Sequence, residues 1–107
     1  MPVVRVQNFL SVAVPQYGVA ARSVTAGVAA SNLIVAALNI QTQAIYFTVT
    51  GANARVTFDG STPTATNGHQ IIAGTSDAWS PIMAASAKII REGATDAVFY
   101  ITEINYL

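Results

Sequence analysis

The chain has 107 residues, no cysteine, one histidine, and five basic residues against five acidic ones for a formal net charge of zero. That makes one domain with no disulfide, no thiolate nucleophile and no cysteine-ligated metal, and its scattered basic residues, Arg5, Arg22, Arg55, Lys88 and Arg91, argue against a nucleic-acid partner, which needs them clustered. Charged residues are 9% of the total, against about a quarter in an ordinary soluble domain, so little keeps copies apart and the surface is expected to lie against other protein.

Met1 to Gln7 lacks the long apolar region and cleavage site of a secretory signal, so no export is expected. Met1 to Tyr17 mixes valines with polar residues and carries Pro2 and Pro15, which reads as an N-terminal arm or edge strand over 1–17, ahead of a β domain over 18–107. Val3, Val4, Val6, Phe9 and Leu10 are the arm's candidate contacts with a partner. The alanine-rich run from Val24 to Leu38 fits a helical stripe through Ala30, Leu33, Ile34, Ala37 and Leu38. Two strands fit it as well and are favoured, because Val24, Thr25, Val28, Ile34 and Val35 are β-branched and Gly27 and Ser31-Asn32 offer breaks. Its most hydrophobic part, Leu33 to Leu38, falls far short of the roughly 20 residues that cross a bilayer, so no membrane partner is expected.

From Gln43 onward the pattern is that of strands. Ile45, Phe47 and Val49 alternate with Tyr46, Thr48 and Thr50, and Val56 and Phe58 alternate with Arg55, Thr57 and Asp59. Gly51-Ala52-Asn53 between them predicts a hairpin, with a two-residue Ala52-Asn53 turn or a four-residue Gly51 to Ala54 loop keeping both apolar sets on one face. A loop follows from Asp59-Gly60 to Gly68. Short apolar pieces recur at Gln70 to Ala73 and Asp77 to Ser80, and Lys88 to Arg91 and Ala97 to Ile104 flank Glu92 to Asp96 as a second predicted hairpin. The last strand carries large apolar groups on both faces, so it is central or covered by a partner. Short strands at this spacing predict an all-β antiparallel sandwich or barrel.

The chemistry-bearing residues form no recognisable constellation. His69 reads as a loop residue and Asp59 and Asp77 as turn residues; a hydrolase would need at least two of the three to converge on one cleft. No spacing matches a metal or phosphate loop, so no catalytic residue, metal or cofactor is expected. Trp79 is either a core or interface anchor or, with the 59–69 loop, a platform for a carbohydrate or host ligand. Tyr100 and Tyr106 suit interface duty.

The stretch from Ala44 to Glu103 resembles a type of small tailed-bacteriophage virion structural protein. The resemblance rests on Phe58-Asp59-Gly60 leading into Ser61-Thr62-Pro63-Thr64-Ala65-Thr66-Asn67-Gly68-His69, then Ile71-Ile72-Ala73-Gly74, then Ile89-Ile90-Arg91-Glu92-Gly93-Ala94 and Val98-Phe99-Tyr100-Ile101. It implies a single β-sandwich of jelly-roll type, assembled in the host cytoplasm into a virion. There it would act as a non-enzymatic decoration or cement protein, a homotrimer whose partners are its own copies and the major capsid protein or another virion protein. A head–tail or fibre-attachment component is the alternative within that class, and a carbohydrate- or host-binding module the alternative outside it.

Overall fold

The computed structural model describes residues 13–15 and 22–106. Val3, Val4, Val6, Phe9 and Leu10 of the expected arm lie outside the described residues. In chain order the elements are β1 (Ala13–Pro15), β2 (Arg22–Ala26), β3 (Ser31–Asn32), β4 (Ala44–Thr50), β5 (Ala54–Thr57), β6 (His69–Ile71), β7 (Ser76–Trp79), α1 (Pro81–Ser86), β8 (Lys88–Arg91) and β9 (Ala97–Tyr106). They make two antiparallel sheets, so the chain is all-β as expected. In the larger sheet β9 pairs on one side with β4, which pairs in turn with β7. On its other side β9 pairs with β2 along its first half and with β1 at its end, Ala13 standing opposite Tyr106. The smaller sheet runs β3-β8-β5-β6.

Alternation decides which side of each strand is buried. In β4, Ile45, Phe47 and Val49 are sealed from solvent, and in β9 Ala97, Phe99 and Ile101 are too. One apolar cluster joins these to Ala54, Val56, Ile71 and Ile89 of the smaller sheet, with Leu33, Ala84 and Ala87 filling in from the connections. Each large aliphatic or aromatic side chain buried this way contributes about 1.5–3 kcal/mol relative to exposure.

Both predicted hairpins are corrected. β4 bonds to β7 and β9 while β5 bonds to β6 and β8, so Gly51 to Asn53 carries the chain from one sheet to the other. The Lys88–Arg91 and Ala97–Tyr106 strands are likewise split between the sheets. The reason is physical: period-2 alternation reports the buried side of a strand and not its neighbour. Val49 and Val56 do both face the core, but from opposite sheets. The two crossings lie side by side, with the Glu92 N–H donating to the Asn53 carbonyl at 3.1 Å.

The stretch from Val24 to Leu38 forms no helix: it ends β2, forms β3, and continues through a segment without regular structure anchored by buried Leu33. Among the described residues one helix forms, over Pro81–Ser86, a stretch to which the sequence pattern assigns no element. Ser80 caps α1, its Oγ accepting from the Met83 N–H at 3.1 Å, and Pro81 occupies the first turn. Both residue types favour those positions, since each deals with an N–H the first turn cannot pair.

Gly68 is the turn residue under the tightest demand. Its φ is +124°, and a Cβ there would stand 3.0 Å from the Val56 carbonyl oxygen. Gly68→Ala is expected to cost about 1–3 kcal/mol, from left-handed backbone strain and that contact together. A urea midpoint equal to that of the unaltered chain would contradict this.

Candidate functional site

The few charged side chains are the natural place to look for chemistry, and most of them are occupied with holding the chain together. Glu103 lies on β9 at the inward parity of Phe99 and Ile101 and is almost wholly buried. Its carboxylate accepts from the Thr42 hydroxyl at 2.6 Å and the Asn39 N–H at 2.8 Å, and pairs with Arg22 Nη2. Arg22 Nη1 also donates to the Ala36 carbonyl at 3.0 Å. Glu103 thus fastens the irregular 33–43 segment to the larger sheet. Burial works to raise its pKa, but the bonds from Thr42 and Asn39 and the Arg22 charge outweigh it and hold the carboxyl below its ordinary value.

Two more ion pairs tie the sheet ends. Arg55 Nε donates to Glu92 at 2.7 Å, Gln70 Nε2 reaches both Glu92 oxygens at 3.0 and 2.9 Å, and Arg55 Nη1 donates to the Gly68 carbonyl at 3.1 Å. The Gln70 bonds, with help from Asn53 and Arg55, lower the Glu92 pKa. Arg91 Nη1 pairs with Asp96 at 2.8 Å. Lys88 Nζ donates to the Gly60 carbonyl at 3.3 Å, Asp59 accepts from Ser61, and Asp77 accepts from the Ala78 N–H at 2.7 Å. Every charged side chain among the described residues therefore has a partner within the chain.

The outer faces of the two sheets differ in charge. Residues directly opposite each other share a face. With Ile45, Phe47, Val49, Phe99 and Ile101 turned inward, the larger sheet's outer face presents Tyr46, Thr48, Thr50, Val98, Tyr100 and Thr102. Flanking strands add Ser23 and Thr25 on one side and Ser76 and Ala78 on the other. Among the described residues no charged one stands on this face. The smaller sheet's outer face carries Lys88 opposite Thr57 and Arg55 opposite Ile90, with Glu92 held against Arg55.

One open surface pocket, of about 400 Å³, is lined by Thr57, Phe58, Asp59, Ser61, Asn67, Gly68 and His69. It brings together two of the three residues a hydrolase would draw on, Asp59 and His69, while Asp77 sits on β7 in the other sheet. Ser61 bonds Asp59 directly, through its N–H at 3.0 Å and its hydroxyl at 2.5 Å. Those bonds, the hydroxyl's first, lower the Asp59 pKa. In a catalytic triad the serine donates to the imidazole and the imidazole to the acid. Here the hydroxyl is spent on the carboxylate, which serves the turn.

Trp79 departs from the platform reading. It is 9% exposed, its ring 4.2 Å from Phe47 and 5.0 Å, edge-on, from Phe58. β7 pairs Trp79 with inward-facing Ile45, so the indole is delivered into the core. Tyr100, by contrast, is 55% exposed on the uncharged face, and Tyr106 is a backbone position in register with Ala13. Glu103 escaped sequence reasoning, although the alternation that turns Phe99 and Ile101 inward also turns Glu103 inward and demands a buried partner. Among the described residues no three His, Asp or Glu side chains are grouped to hold a metal, and no helix is long and apolar enough to cross a membrane.

Comparison of the chain with protein-family models, curated proteins and solved structures finds no match.

Proposed function

We propose that the chain is a non-enzymatic structural component of a bacteriophage virion, a decoration or cement protein that self-associates and stabilises the shell. The observation that carries this reading is the disposition of charge. Every described charged side chain is engaged within the chain, and none of them stands on the outer face of the larger sheet. A surface so poor in free charge is suited to lasting contact with protein and poorly suited to life as a free monomer.

The strand order supports a sandwich of jelly-roll type. β2 pairs with β9, β3 with β8, β4 with β7 and β5 with β6. Those are the pairs made when one long hairpin is wound up on itself, and the roll closes where β9 meets β4 and β8 meets β5. Double-sheet jelly rolls recur in viral capsid and lectin domains, so the analogy favours a virion or carbohydrate setting without choosing between them.

The pocket favours the second reading, a carbohydrate- or host-binding module. With Trp79 in the core, Phe58 is its aromatic wall and Asp59, Asn67 and His69 its polar groups. Quantitative mass spectrometry of purified particles separates the readings. A cement protein is expected at hundreds of copies per particle, and about a dozen indicates a head–tail or fibre component at a symmetric junction. Absence from particles, with glycan binding lost on His69→Ala, contradicts the structural role and supports the module.

A further inference from the structure

We infer that the outer face of the larger sheet is the contact between two copies of this chain, related by a two-fold axis. The inference rests on the assembly reading above and assigns that assembly a surface and a symmetry.

Desolvation is the first argument. Covering a charged face costs free energy that only a matched partner returns, whereas the face built from β4 and β9 has no charge to desolvate. Its polar atoms are partly paired already, the Thr48 and Ser76 hydroxyls bonding each other at 2.9 Å, so a covering surface does not orphan them. Tyr100 stands on the long central strand of the face, 55% exposed, with an apolar ring and a hydroxyl that keeps its hydrogen bonding when covered.

Complementarity selects the occupant. A face without charge meets no repulsion from the same face on a second copy, and a two-fold contact requires only that a patch suit itself. The smaller sheet's face, with Lys88, Arg55 and Glu92, is ill matched to the uncharged one. The area fits a weak, reversible dimer. At about 3.3 Å per residue and 4.8 Å between strands the open part of the face spans on the order of 300 Å² of sheet plane, its far end at Ala44 and Ile104 being already buried within the chain. Side-chain relief brings the total buried across both copies to roughly 700 Å², the size of a weak and reversible contact. Such a dimer forms at high protein concentration, and it takes the place of the trimer that the resemblance implies.

The test is sedimentation velocity on the unaltered chain and on Tyr100→Lys, Ser76→Lys and Asn32→Lys, each checked for folding by circular dichroism. Asn32 is exposed and lies opposite Lys88 on the smaller sheet, so it adds the same charge to the other face. The unaltered chain and Asn32→Lys are expected to be dimers, while Tyr100→Lys and Ser76→Lys weaken association at least tenfold. Should Tyr100→Lys fail to fold, Ser76→Lys on the edge strand carries the test. A monomer or trimer for the unaltered chain, or equal weakening by Asn32→Lys, overturns the inference. A monomer in solution that is abundant in particles overturns the interface and leaves the virion role standing. A dimer broken by Tyr100→Lys but absent from particles does the reverse.

Discussion

Trp79→Ala is expected to lower the unfolding free energy by about 3–5 kcal/mol, the range for deleting a large aromatic from a packed core. Trp79 bridges the two sheets' contributions to the core: Phe47 of β4 lies 4.2 Å from it on one side, and Phe58, following β5, lies 5.0 Å away on another. Removing the indole withdraws contacts from both rings at once, and Phe47, itself 5.8 Å from Phe99, cannot move into the space without leaving that neighbour. For a domain near 100 residues the loss corresponds to roughly 15 °C or more in Tm. Trp79→Phe, which keeps most of the apolar volume, is expected to cost less than half as much. Because Trp79 is the chain's one tryptophan, its fluorescence reports the same point: blue-shifted emission in the folded protein, moving to the red on unfolding. A Trp79→Ala protein with unchanged stability, or water-like emission before unfolding, returns Trp79 to the surface and restores it as a ligand platform.

Glu103→Ala is expected to cost about 2–4 kcal/mol, read from chemical denaturation. The Thr42 hydroxyl, the Asn39 N–H and the Arg22 guanidinium all converge on this carboxylate. Its removal strands them together, and losing one partner of a buried pair costs more than the pair itself contributes. Arg22 keeps 22% side-chain exposure, so it recovers part of its hydration and the loss falls toward the lower part of the range for buried pairs. The pH dependence has a definite sign. The folded carboxyl is held below its ordinary value of 4.5, so its contribution is complete above that value and is lost as pH falls through the lower, folded one. Glu103→Gln is therefore expected to be less stable than the unaltered chain at neutral pH, with the gap narrowing as pH drops below 4.5. A gap independent of pH across that range contradicts a charged, bonded Glu103.

What could be read from the sequence follows the reach of each physical signal. Alternation is local, and it placed Ile45, Phe47, Val49 and Val56 on the buried side correctly, while in the last strand, apolar on both faces, it left the buried side open. Pairing is not local. Gly51 to Asn53 looks like a hairpin turn because a glycine with φ of +86° serves a crossing between sheets as well as a tight turn within one, and only the distant partners β7, β9, β6 and β8 decide which. The Ser80-Pro81 cap was legible in principle, but a six-residue helix leaves too little periodicity to announce itself. Of the surface features, Tyr100 could be recognised because the last strand carries apolar groups on both sides. The shared pocket of Asp59 and His69 could be entertained and not located, since it depends on where the loop returns to β6. The low charge was visible at once, while its meaning was not. Only the fold shows that Arg22, Arg55 and Arg91 are each paired with an acid, and that strand register puts only uncharged residues of the described strands on the larger sheet's outer face.

That neutral face is most directly tested by the solution mass of the unaltered chain, measured against concentration at low and at high salt. At a high protein concentration of about 100 µM the expected result is a dimer. Its mass should hold as salt rises to about 1 M, because an interface without charge has no ion pair for salt to screen. A stable monomer at that concentration, or an assembly that salt dissolves, would contradict an uncharged face claimed by a second copy.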